Sequence, residues 1–276
     1  MPTASTEVPT LSIVGPDSWL TTATVAPPPA AVRKKFRLAP FYQKHVDVLG
    51  IPVVGSSRVL DAALIEAGYL ALRMLLNRPD VAKKLAKRGV RIAVMATSER
   101  TRDIPEHSDL DPMFDTRARG LGATPHRPAS SCGEENLLEC PNDPYRAESI
   151  FIHEFAHTIH TMGLNALDSK FDKRVRNAYD RAMAQQLWSN TYARTDHLEY
   201  WAEGVQSYFA CNNRTVDASH NGINSAAELA AYDPGLFALI HAGLGGVSWD
   251  FVPPTQRVHQ PHLAALDRAT LPVFQW

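Results

Sequence analysis

The rhythm of apolar and polar positions divides this chain into an unpatterned start, a mixed first half and a helical second half. Residues 2–32 hold Thr, Ser, Ala and Pro in excess and end in Pro27-Pro28-Pro29. Such a composition buries too little to order itself, so residues 1–35 are expected to form a disordered or extended arm. From Phe36 the chain becomes globular. Residues 46–54 carry strand-type side chains around a Gly50 turn, which predicts paired strands. The pattern over 61–78 is that of a helix, capped by Ser57 or Asp61 and stopped by Pro79. A shorter helix is predicted over 80–88, ended by Gly89, with Lys83, Lys84, Lys87 and Arg88 as its solvated face. Residues 90–95 read as a sheet strand. Residues 97–144 hold Gly120, Gly122 and several prolines; an irregular segment of that length is usually functional, and it is expected to supply an edge strand and the walls of a cleft. Helical spacing then governs about 146–162, 169–187, 198–210 and 225–242. The sum is an α+β fold: a small twisted sheet followed by a helical C-terminal half. One domain is expected over 36–252, with 253–276 as a tail packed on it or extended.

Composition narrows the function classes. The 276 residues are 45% hydrophobic, enough for one sizeable core or two small ones. A formal charge of −1 offers no electrostatic footprint for nucleic acid. No apolar run is long enough to cross a bilayer, since 62–76 is interrupted by Glu66 and Arg73. The start lacks a charged segment followed by an apolar one, so no signal peptide is expected. Cys132 and Cys140 lie eight apart and either bridge, which would favour export, or stay reduced in a cytoplasmic protein. Cys211 reads as a buried thiol.

The chemistry is concentrated in His153-Glu154-Phe155-Ala156-His157, an H-E-x-x-H motif. On a helix the two histidines project from one face, a turn apart, and can grip one zinc ion at ~2.0–2.1 Å. Glu154 then reaches the metal's water and can take its proton. Ile150, Phe151, Ile152, Phe155, Ala156 and Ile159 surround the polar trio, as a buried helix with one metal-binding face requires. The metzincin continuation is excluded: its glycine position holds His160 and its last histidine position holds Gly163. After Glu154 the next glutamates are Glu199 and Glu203. Two carboxylates at i and i+4 on an apolar helix repel each other unless something positive lies between them. Zinc held by one, and a ligand histidine's N–H held by the other, would resolve that conflict.

The segment Tyr192-Ala193-Arg194-Thr195-Asp196-His197-Leu198-Glu199-Tyr200-Trp201-Ala202-Glu203 resembles the second motif of the gluzincin peptidases related to anthrax lethal factor and the Mlc titration factor. Together with the HEFAH helix the likeness covers about residues 146–210. It implies a zincin-like fold and one zinc per chain, held by His153, His157 and Glu199. It also implies Glu203 behind the ligands and Tyr192 as a hydroxyl donor to the substrate oxyanion. The function so implied is a zinc-dependent hydrolase, first of all a metallopeptidase with Glu154 as general base. Two readings stay beside it: a zinc enzyme acting on a carbohydrate or small metabolite, and a non-catalytic, zinc-stabilised binding protein. His160 and Gly204 depart from the family pattern and could change what fits beside the metal. His160 is expected to hydrogen-bond substrate or a carboxylate. His107, beside Glu106, either enters the cleft or forms a surface pair.

Overall fold

The computed structural model describes residues 15–276. Residues 1–14 of the expected arm lie outside them, and the remainder departs from that expectation. Pro16–Thr22 forms helix α1 and Ala30–Phe36 forms α2. Both begin at or just after a proline, which starts a helix as readily as it breaks one. Trp19 and Leu20 give α1 something to bury: Leu20 is in the core, and the Trp19 ring covers Gly68 on the neighbouring helix.

Strands β1 (Lys44–Val48) and β2 (Ile51–Gly55) form the hairpin expected at Gly50, with Val48 paired to Ile51. The two turn residues, Leu49 and Gly50, both have positive φ (54° and 79°), the geometry that matches the strands' right-handed twist. Helix α3 (Asp61–Leu75) ends earlier than the pattern suggested, and α4 (Pro79–Lys87) follows. The residue before a proline is pushed out of helical geometry, and Arg78 is found at φ −129°, ψ 59°. Strand β3 (Arg91–Met95) runs parallel to β2.

The 97–144 stretch is more ordered than its composition suggests. It holds a two-residue strand, β4 (Gly120–Leu121), then β5 (Ala129–Gly133) and α5 (Glu134–Leu138). The sheet order is β1-β2-β3-β5-β4, with β5 parallel to β3 and antiparallel to β4. β4 is the expected edge strand; β5, which the pattern did not reveal, is interior. Its Ala-Ser-Ser-Cys-Gly sequence lacks the branched alternation that marks a strand, yet all five residues are buried. Small side chains there let the next helix lie close on the sheet.

That helix is α6 (Ile150–Thr158), capped by Ser149 and continued by a π-helical turn (Ile159–Leu164) into α7 (Asn165–Leu167). Next come α8 (Phe171–Ala184) and α9 (His197–Tyr208). Asp196 caps α9, accepting from the N–H groups of Leu198 (2.7 Å) and Glu199 (3.0 Å). The single helix expected over 225–242 is two, α10 (Ala226–Tyr232) and α11 (Pro234–Gly243). They are separated at Asp233, which precedes a proline and caps α11 through Leu236 N–H at 2.9 Å. α12 (Pro261–Ala264) lies in the C-terminal segment, whose Leu263, Leu271 and Phe274 are buried. Arg257 and His262 from that segment meet the fully buried Glu66 of α3. The whole is α+β. Among the described residues no helix is long and apolar enough to cross a membrane.

The bridge weighed between Cys132 and Cys140 is not formed. Both are free, buried thiols, as is Cys211, so these residues lend nothing to export.

Candidate metal centre

Helices α6 and α9 pack face to face, tied by Trp201 Nε1–H donating to the Ala156 carbonyl at 3.0 Å. Their facing surfaces carry both sequence motifs. His153 and His157 stand one turn apart on α6, and Glu199 meets them from the first turn of α9. His153 Nε2 is 3.0 Å from Glu199 Oε2 and 3.1 Å from His157 Nε2. His157 Nε2 is 3.3 Å from the same carboxylate oxygen. Three donor atoms thus form a nearly equilateral triangle.

The chemistry of the donor set fits a cation. A zinc ion with ~2.0–2.1 Å bonds in tetrahedral geometry separates its ligand atoms by roughly 3.3 Å, close to all three observed edges. The tautomer of His153 agrees. Its Nδ1 lies 2.8 Å from Gln206 Oε1. The amide orientation is fixed from behind, because Gln206 Nε2 donates to the Ser149 carbonyl (3.2 Å) and to Glu148 Oε2 (3.3 Å), neither of which can donate. The oxygen therefore faces His153, Nδ1 bears the hydrogen, and in the neutral ring the Nε2 lone pair points at the Glu199 carboxylate. Two lone pairs at 3.0 Å need a positive charge between them. Without a metal that charge is a proton. Burial by itself lowers the His153 pKa, but the Glu199 hydrogen bond and the charges of Glu154, Glu203 and Glu199 outweigh it, pushing the group up to about 10. Burial raises Glu199, yet the hydrogen bonds and charges of the two histidines hold it well below the usual carboxylate range.

Glu154 points beside this triangle into a cleft of about 590 Å³, which Tyr192 also lines. Burial raises the Glu154 carboxyl above its ordinary pKa, opposed by the two histidines and the Gly122 N–H. The tilt suits a general base. Tyr192 sits on a short 3-10 turn, 44% exposed, with its ring 6.3 Å from that of His153. Partial burial and the nearby charges of Glu199, Glu154 and Glu203 raise its phenol well above the ordinary value, so it keeps its proton as a donor.

β4 and the turn after it also line the cleft. A Cβ on Gly120 would lie 2.8 Å from Glu154 Cγ, and one on Gly122 would lie 2.5 Å from His157 Cβ. Only glycine lets the edge strand come this close to α6.

Comparison with protein-family models and with curated proteins gave no match to this chain. The resemblance to gluzincins therefore rests on the two sequence motifs alone.

Glu203, His107 and Gly204 are placed otherwise than expected, and His160 meets one of the two partners expected of it, a carboxylate. Glu203 is buried 3.6 Å from His153 Nδ1, too far to hold its N–H, and instead accepts from Asn212 Nδ2 at 3.1 Å. The holder is Gln206, seven residues past Glu199 and so on the same helical face; that spacing was the only available signal. His160 does not face the cleft. It is fully buried, with ring centroids 5.4 Å from Phe171 and 5.6 Å from Trp201, and its Nε2 is 3.3 Å from Asp172 Oδ1. Its contact is thus with a carboxylate and not with substrate, and burial lowers its pKa to about 4 despite Asp172. His107 is neither in the cleft nor on the surface: it is buried, with Nε2 3.0 Å from Ser131 Oγ. That hydroxyl also accepts the Leu121 N–H at 3.1 Å, so His107 supports the edge strand from behind. Glu106 pairs with Arg91 at 2.5 Å. Gly204 likewise does not shape the site, since it makes room for Leu236 of α11.

The cleft also has residues that the motifs did not reveal, among them Arg117, Tyr145, Glu148 and His220. His220 is held by Asp217 through Nδ1 at 3.1 Å, on a loop whose Ser219 carbonyl accepts the Tyr192 N–H at 2.8 Å.

Proposed function

We propose that this protein is a zinc-dependent hydrolase on a zincin-like fold, acting first of all as a metallopeptidase. The observation that carries the reading is the triangle of His153 Nε2, His157 Nε2 and Glu199 Oε2, with edges of 3.0–3.3 Å, at a cleft that Glu154 and Tyr192 share. Those three side chains would hold the ion. A zinc ion there would supply a Lewis acid that polarises a carbonyl and acidifies water.

The chain's own residues supply the rest. Glu154, with its raised pKa, takes a proton from the attacking water and returns it to the leaving group. Tyr192 keeps its phenolic proton and donates it as a hydrogen bond to the oxygen that becomes negative. Gln206 holds His153 in the tautomer that offers Nε2.

A second reading has its own observation. The edge strand along the cleft is only Gly120–Leu121, a short rail for an extended peptide, and 590 Å³ is within the range of small-molecule sites. A carbohydrate or small metabolite fits that description. Incubation with casein and with a glycan panel, using zinc-stripped enzyme as control, separates the two.

The metal assignment has a direct test. Glu199→Ala is expected to lose zinc by elemental analysis, whereas Glu154→Gln keeps zinc and loses turnover. A zinc-replete Glu199→Ala protein would overturn the ligand set.

A further inference from the structure

Resting on the metal-centre reading, we propose that Glu148 and Gln206 act together as a positioning pair for His153, the amide relaying the carboxylate's charge to the ligand imidazole. Metal-bound histidines usually donate their second N–H to a carboxylate or carbonyl, which fixes the ring and raises the basicity of the ligand nitrogen. Here the atom at Nδ1 belongs to a neutral amide, Gln206 Oε1 at 2.8 Å. The nearest carboxylate on that side, Glu203, stands 3.6 Å away and is engaged with Asn212.

The charge is one bond further out. Gln206 Nε2 donates to Glu148 Oε2 at 3.3 Å and to the Ser149 carbonyl at 3.2 Å. An amide whose N–H₂ faces a carboxylate is polarised, so its carbonyl oxygen accepts more strongly, and a low local dielectric strengthens the effect. Gln206 is fully buried and Ser149 nearly so. Glu148 directly precedes Ser149, the cap of α6, so one short stretch both starts the metal helix and orients the amide behind its first ligand. The chain Glu148–Gln206–His153 thus does through an amide what a direct carboxylate does elsewhere.

The experiment compares the full-length wild type with Gln206→Leu, Gln206→Glu and Glu148→Gln. It reads zinc affinity by chelator competition and the His153 Nδ1–H proton by NMR, with and without added zinc. Gln206→Leu is expected to lose the protected Nδ1–H signal and to bind zinc roughly ten- to a hundredfold more weakly. Gln206→Glu keeps an acceptor and restores both. Glu148→Gln keeps the Nδ1–H signal but moves it upfield, with a smaller loss of affinity. A folded Gln206→Leu protein that binds zinc within about twofold of wild type overturns the proposal. Should that variant fail to fold, an unmoved Nδ1–H signal in Glu148→Gln overturns it equally. A wild type that takes up no zinc, yet shows a Gln206-dependent Nδ1–H signal, overturns the zinc reading and leaves the positioning pair standing.

Discussion

Tyr192 shows how far a single residue can be argued. Its place in the motif and its seat on the cleft agree, and partial burial, with the carboxylates of Glu199, Glu154 and Glu203 nearby, keeps its phenol protonated. A packing residue and an oxyanion donor differ in what the hydroxyl does. Tyr192→Phe is expected to lower kcat on the order of 10²-fold with KM and zinc content little changed. Near-normal turnover of the true substrate would remove its catalytic role. His160 gives the opposite lesson: helical spacing placed it on the metal face, but a π-helical turn begins at Ile159 and resets the direction in which side chains leave the helix.

Between elements, the decisive contact is that of β4 with α6. Two glycines, Gly120 and Gly122, bring the strand against Glu154 and His157. Gly122→Ala would place a methyl 2.5 Å from His157 Cβ, and backbone must move to relieve it. The expected cost is about 1–3 kcal/mol of stability, with weaker zinc binding because His157 shifts. Thermal unfolding with and without chelator measures both. A Gly122→Ala protein with wild-type stability and zinc affinity would show that the strand yields freely and that the close approach is not needed. The glycines were visible in the sequence; their purpose was not, because their partners are more than thirty residues away.

For the whole molecule, two buried histidines set a pH dependence. Burial lowers both His107 and His160 to about 4, against an ordinary value of about 6.5. Between those values these two rings bind protons in the unfolded chain and refuse them in the folded one, so their contribution to stability is full above pH ~6.5 and is lost as pH drops towards 4. Each histidine contributes up to about 3 kcal/mol to that loss. Urea midpoints across pH 4–7 should show the slope, and His107→Asn should reduce it. Asp143, which burial raises to about 6, opposes them below that pH, so the decisive reading is the difference between the two proteins: equal slopes in wild type and His107→Asn would mean that His107 is protonated in the folded state.

The sequence by itself determined most of the elements and which side chains meet in the candidate site. H-E-x-x-H and the downstream glutamates name the donor types because helical spacing is local, and the apolar periodicity locates α3, α6, α8 and α9 within a few residues. It could not determine β5, whose small polar residues are strand-like only because a helix covers them. Nor could it see α1, anchored by Trp19 against Gly68, or the break at Asp233 within a continuous apolar pattern. At the site, the motif named His153 and His157 and the resemblance named Glu199, and the fold brings their donor atoms together. Only the tertiary structure decided that Gln206, not Glu203, holds His153, that His107 lies behind the edge strand, and that His220 enters the cleft. Each of those depends on which residues distant in sequence come together. Local periodicity sets the direction in which a side chain leaves its own helix, but the packing of α6, α9 and the sheet sets what it meets.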